Sequence, residues 1–144
     1  MKFNNVEDAT ETLRKELFSK NWKDVFLKNQ DGELNDFFVE KDMAKQMNDI
    51  IPFGYFYSRE QMYELLHSSI NVNISEIAKW LVKGNNLPIK LPIAFCSCIG
   101  CSFDENGEEH QEKKIQIIIR RDRKNNTKYG FFVSSFHPVY TIDN

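Results

Sequence analysis

The residues best suited to chemistry lie near the C-terminus, in F-V-S-S-F-H-P at residues 132–138. His137 follows two hydroxyls, Ser134 and Ser135. An imidazole, with a pKa near neutrality, can give or take a proton in such company. On location alone the plainer reading is a surface histidine at the end of a strand. A second cluster is C-S-C-I-G-C, holding Cys96, Cys98 and Cys101. Three thiols with His110 downstream suggest zinc, but structural zinc sites use two separated C-x-x-C-like pairs and the second pair is missing. Buried, reduced thiols are therefore the expectation, with no metal and no cofactor. His67 falls on or near the apolar stripe of a helix, as a packed or cap-facing residue. His110, in E-E-H-Q-E, reads as a solvated loop residue, and the neighbouring acids Glu108 and Glu109 as loop acids. The chain has no Gly-rich phosphate loop, no G-x-S-x-G and no H-E-x-x-H.

Charge adds one more candidate surface. Residues 113–128 carry seven basic side chains, Arg120, Arg121, Arg123 and Lys124 among them, against the single acid Asp122. Such a patch can meet phosphate or an acidic protein. It equally describes a solvated hairpin tip that discourages edge pairing.

The elements that must position these residues are legible in outline. Ile115, Ile117 and Ile119 alternate with Gln116, Ile118 and Arg120. After the turn-rich D-R-K-N-N-T-K comes a second β-branched and aromatic run, residues 129–136, which makes a β-hairpin. Strict alternation would put Phe132, Ser134 and Phe136 on one face and Phe131, Val133 and Ser135 on the other. Ile89 opens another strand, and Pro92 within it suits an edge or a bulge. Asp104 to Gly107 reads as a turn.

Helical periodicity dominates the first half. Val6, Ala9, Leu13 and Leu17 follow Asn5, a natural N-cap. Trp22, Val25 and Phe26 extend or follow that helix. Gln30 to Gly32 is a turn, and Leu34, Phe37, Phe38 and Met47 suggest a further helix running to Asp49. Pro52 and Gly54 interrupt it, and residues 55–57 read as extended. Ser58 and Gln61 form a capping box. Behind them Met62, Leu65, Leu66, Ile70, Ile74, Ile77 and Leu81 make the clearest stripe, with Asn71 and Asn73 as a possible break and Gly84 as its stop. The expectation is one α+β domain, residues 1–144, with N-terminal helices (1–84) packed on a small C-terminal antiparallel sheet (87–140).

A chain of 144 residues with 41% hydrophobic content and twelve Phe can bury an aromatic-rich core. The net charge of −2 argues against broad nucleic-acid binding. No signal peptide and no membrane-spanning run is evident, so a cytoplasmic protein starting at Met1 is expected.

Three blocks together resemble a known family. They are F-F-V-E-K-D-M-A-K (residues 37–45), the segment from Y-F-Y-S-R-E-Q-M to N-I-S-E-I-A-K-W-L (55–81), and I-I-I-R-R-D-R followed by F-V-S-S-F-H-P. Their order and spacing, over roughly the last two-thirds of the chain, resemble the ribonuclease A-like toxin domain of bacterial contact-dependent growth inhibition proteins. The resemblance implies a kidney-shaped α+β fold that promotes attack of a ribose 2′-OH on the adjacent phosphate. In the family the first block reads approximately H-T-x-E-K-H-V-G-K. Glu40, Lys41 and Lys45 match, while Phe37 and Asp42 stand in place of the histidines. The family's downstream arginine has no counterpart between Asp42 and Phe53. In the last block Ser134 replaces a Thr, Phe136 replaces a Tyr, and His137 is inserted before Pro138.

An aspartate in place of an imidazole would repel phosphate and is a poor base at neutral pH. The resemblance thus implies a non-catalytic member of an immunity or decoy type. It would bind a toxin or immunity protein through the basic hairpin or a cleft lined by Phe136. The alternative is a divergent endoribonuclease. There His137 would be the base, Ser134 with Lys41 or Lys45 would contact phosphate, and Arg120, Arg121, Arg123 and Lys124 would hold RNA.

Overall fold

The computed structural model describes residues 3–47 and 54–139. The Pro52 break, the helix end at Asp49 and the last residue of the expected sheet, 140, lie outside them.

Local chemistry sets the helices. Helix α1 (Val6–Leu17) starts at Asn5, whose side chain accepts the Asp8 N–H at 2.8 Å, and buries Ala9, Leu13 and Leu17. A short α2 (Trp22–Phe26) follows as a separate helix. The helix expected from Leu34 is confined to α3 (Lys41–Met47). Side chains explain the difference. Asp36 Oδ1 accepts the Phe38 N–H at 3.1 Å, and Asn35 Nδ2 donates to the Val133 carbonyl at 2.9 Å. Asn and Asp satisfy the backbone here in a non-helical path, which is their usual competition with helix. Phe37 and Phe38 reach the core from a loop instead.

Strand β1 (Gly54–Phe56) precedes α4 (Arg59–Val72). At the start of α4 the Ser58 hydroxyl accepts the Gln61 N–H at 3.1 Å, and Gln61 Oε1 reaches back to the Tyr57 N–H at 3.0 Å. The long stripe does break at Asn73, whose side chain donates to the Ser69 carbonyl. Helix α5 (Ile74–Lys83) then runs to Gly84, which takes the left-handed conformation that closes helices.

The second half is antiparallel. Strands β2 (Ile89–Ala94), β5 (Lys114–Arg121) and β6 (Phe131–Pro138) form one sheet in the order β2-β5-β6. Strands β3 (Gly100–Phe103) and β4 (Glu109–Glu112) form a second with β1, in the order β1-β3-β4. The class is α+β, as the periodicities imply. The β-structure is divided between two sheets, one of them recruiting a strand from among the helices. Pro92 sits on β2, an edge strand, where its missing N–H does no harm.

Ile115, Ile117 and Ile119 are fully buried and face α1, α4 and α5 together with Phe131, Val133 and Phe136. Phe131 meets Phe26 and Trp80 edge-on, and Phe136 stacks on Phe56 with centroids 5.1 Å apart. Each such ring contributes on the order of 2–3 kcal/mol by leaving water. The two sheets meet at the end of β6. A Cβ on Gly100 would lie 2.8 Å from Pro138 Cγ, and one on Gly54 2.6 Å from the Pro138 carbonyl oxygen. Only glycine permits this approach, and it brings β1 and β3 against the strand that carries His137.

Candidate functional site

The β5–β6 ladder does not alternate as a regular hairpin would. Ile118 pairs with Ser135 and Ile119 with Val133, so Ser134 is an extra residue, a β-bulge. The bulge resets the phase. Phe131, Val133, Phe136 and Pro138 all stand opposite Arg121, Ile119, Ile117 and Ile115 and share their face. Ser134 and Phe136 are therefore not a same-face pair, and Phe136, 2% exposed, is core. The Ser134 hydroxyl donates to the Ile118 carbonyl at 3.2 Å, within the bulge itself.

Beside the bulge lies a cleft of about 330 Å³ between residues 134–137 of β6, the loop Asn35, Asp36, Phe37 and Val39, and Met47 at the end of α3. His137 Nδ1 is 3.1 Å from the Ser135 hydroxyl, which makes Ser135 rather than Ser134 its hydroxyl neighbour. Burial pushes the His137 pKa below its ordinary value, so the ring is neutral near pH 7. Across the cleft, burial acts to raise the Asp36 pKa. The Arg59 guanidinium and the Phe38 N–H outweigh that and hold the carboxylate ionised, below its usual range. Arg59 also packs over the Phe38 ring. Asn35, fixed by Asn29 and by the Val133 carbonyl, ties the loop to the bulged strand.

The other candidates fall elsewhere. Lys41 Nζ is 2.7 Å from Glu109 Oε2, and neither Lys41 nor Lys45 lines the cleft. Asp42 is exposed on the first turn of α3. Arg120 is exposed on the other face of β5, opposite Phe132. Arg121 points inward, where its guanidinium donates to the carbonyls of Trp80 (2.6 Å) and Asn85 (2.9 Å) and, at 3.4 Å, Leu81, and stacks over Trp80. It is a cap for the C-terminus of α5. Arg123 is exposed, and Lys124 pairs with Asp31. The basic stretch thus keeps Lys113, Lys114, Arg120 and Arg123 exposed, with Lys124 and Lys128 paired to acids.

Two loop expectations are revised. Glu109 and His110 belong to β4. Hydrogen bonds from Lys41 and Tyr55 pull the Glu109 pKa down to about 2. His110 pairs with Asp104 at 2.7 Å, which raises its pKa. Of the three free thiols only Cys101 is buried, and burial pushes its pKa up. Cys96 is exposed and Cys98 half-buried. Among the described residues the only close group of potential metal ligands is Asp104, Glu108 and His110, on the β3–β4 turn and without a thiol.

Sequence reasoning found His137 and Ser134 but missed Asn35, Asp36 and Arg59. The available signal was the pair Asn35-Asp36 directly before two phenylalanines, which marks a turn rather than a helix start. No described helix is long and apolar enough to cross a membrane.

No protein-family model matches the chain, and no curated protein is detectably similar to it. Its fold matches a chain in the crystal structure of a CdiA-CT/CdiI complex from Y. kristensenii 33638. The TM-score is 0.61 and the identity 15%, over 72% of this chain and 95% of that one. At that identity the likeness establishes a common fold.

Proposed function

We propose that this chain is one component of a bacterial toxin/immunity pair and that it acts by binding a protein partner rather than by cutting RNA. Its fold is shared with a chain of a CdiA-CT/CdiI complex, a structure of two partners bound together. The observation that carries the non-catalytic half is the cleft's composition. Cleavage by 2′-OH attack needs a base, an acid and cations or donors for the developing charge. The residues lining the cleft supply one imidazole, two hydroxyls and a carboxylate, with no lysine or arginine among them. Lys41 and Arg59 are engaged by Glu109 and Asp36, and Lys45 is exposed on α3 without lining the cleft.

One observation favours the second reading, a divergent endoribonuclease. A neutral His137 beside Ser135 is in the protonation state a general base requires. Arg120 and Arg123, with Lys113 and Lys114, would then be the side chains available to RNA. Labelled tRNA incubated with purified protein and with His137→Ala separates the two. The binding reading expects no cleavage by either and a stable complex, on size exclusion, with the product of the adjacent gene. Cleavage that is lost in His137→Ala establishes the ribonuclease reading instead.

A further inference from the structure

Helices α2 and α4 flank a second groove of about 510 Å³. Its walls are aromatic and stand at right angles. Trp22 meets Tyr63 with centroids 6.4 Å apart and planes at 83°, and His67 at 5.1 Å and 82°. His67 is anchored through Nε2, 2.8 Å from the Leu17 carbonyl oxygen, so this wall is fixed to the end of α1. Phe18, 64% exposed, packs edge-on against the same ring. Lys23 Nζ lies 3.9 Å from the Tyr63 centroid and 6.0 Å from that of Trp22. Glu60 and Glu64, one turn apart on α4, line the groove as well.

We propose that this groove recognises an arginine side chain of a protein partner, and that Lys23 is its internal stand-in when no partner is bound. Ring faces are electron-rich and attract cations, and two orthogonal faces can receive one charge together. Arg59 also hydrogen-bonds Tyr63 but is neutralised by Asp36, so Glu60 and Glu64 against Lys23 leave a negative excess that a second cation would relieve. A guanidinium suits it better than an ammonium, because its plane stacks on a ring while its donors reach a carboxylate. Lys23 is exposed, so its displacement returns the ammonium to water. The exposed Phe18 beside Trp22 and Tyr63 gives the aromatic composition typical of interface anchors. The groove serves the binding role proposed above, and Arg59, bonded to both Tyr63 and Asp36, joins its edge to the cleft.

The test uses the whole chain, with ¹⁵N-labelled tryptophan, titrated with acetyl-Gly-Arg-Gly-amide and with the same peptide carrying neutral citrulline. The Trp22 indole N–H resonance should shift saturably with the arginine peptide at millimolar concentration and stay still with citrulline. The Trp80 indole, which donates to the Leu87 carbonyl, is the silent control. Lys23→Gln should tighten binding about threefold by removing the competitor. Lys20→Gln, an equal change in charge off the rings, should leave it unchanged, and Glu64→Gln should weaken it by a similar factor. Equal shifts with both peptides, or equal effects of the Lys23 and Lys20 substitutions, would overturn the assignment. A partner that co-purifies although this titration fails must dock elsewhere, so the groove and the binding reading fail separately.

Discussion

Arg121→Met separates a structural arginine from a nucleic-acid contact. The Arg121 guanidinium makes two short hydrogen bonds, to the carbonyls of Trp80 and Asn85, and longer ones to Leu81, at the C-terminus of α5. Its centre lies 4.1 Å from the Trp80 ring centroid. Burial lowers its pKa, and among the described residues no carboxylate pairs with it. A hydrogen bond from a charged donor contributes about 1.5–3 kcal/mol. The low end applies here, because the adjoining cavity beside Gly84 and Asn86 can admit water to the vacated carbonyls. Two such bonds give about 3 kcal/mol, and the ring contact adds up to about 1 kcal/mol. Methionine keeps the apolar packing on Trp80 but loses the donors and the charge over the ring. Urea unfolding followed by circular dichroism should therefore show Arg121→Met at least about 3 kcal/mol less stable than wild type. Arg121→Lys, reaching one carbonyl with a single ammonium, should lose about half of that. An arginine held out for RNA would behave as an exposed residue, within about 0.5 kcal/mol of wild type on substitution. That result for Arg121→Met would refute the capping role.

Other expectations follow from the same geometry. His137 is half-buried and desolvation holds its pKa below the ordinary 6.5, so protonation favours the unfolded chain. Its contribution is complete above pH 6.5 and is lost as pH falls through the lower folded value. The melting temperature of wild type should drop more between pH 7.5 and pH 5 than that of His137→Gln, and parallel curves would contradict this. Gly54→Ala forces a Cβ to within 2.6 Å of the Pro138 carbonyl oxygen in the other sheet and should cost about 2 kcal/mol or more in urea unfolding. Gly107→Ala, with open space and only a φ of +79 to satisfy, should cost about 1 kcal/mol. Equal costs would show that the two sheets are not in close contact. Iodoacetamide should alkylate the exposed Cys96 first and the buried, high-pKa Cys101 last. Mass spectrometry of the time course checks the order, and early modification of Cys101 would contradict its burial.

Much of the fold was written in local signals. The caps at Asn5, Ser58 and Gly84, the period of α1 and of the α4–α5 stripe, and the Asp104 turn depend on neighbouring residues, which a sequence displays directly. The residue-34 helix was misread because its apolar spacing is real while its backbone is claimed by Asn35 and Asp36, side chains whose partners include Val133, almost a hundred positions away. Arg121 was legible after all. Counting by twos from Ile115 reaches Ile117, Ile119 and then Arg121, which places it on the core face beside the end of α5, with Arg120 outward.

The cleft was legible only in part, because it depends on one residue of irregularity. Strict alternation along β6 pairs Ser134 with Phe136 and invites a catalytic hydroxyl beside an aromatic wall. Setting Ser134 aside as the bulged residue keeps Val133 and Phe136 both inward, and it leaves Ser135 and His137 together on the other face, opposite Ile118 and Gln116. Strand pairing, not composition, decides this: the hydrophobic pattern F-F-V-S-S-F-H-P buries one more apolar residue with the bulge than without it, since Phe131, Val133 and Phe136 cannot share a face in a regular strand. The same packing demand that seats Phe136 against Phe56 therefore selects which hydroxyl meets the imidazole. A chemical site here is a consequence of how the core closes, and a reading that assigns roles before fixing the register will name the wrong serine.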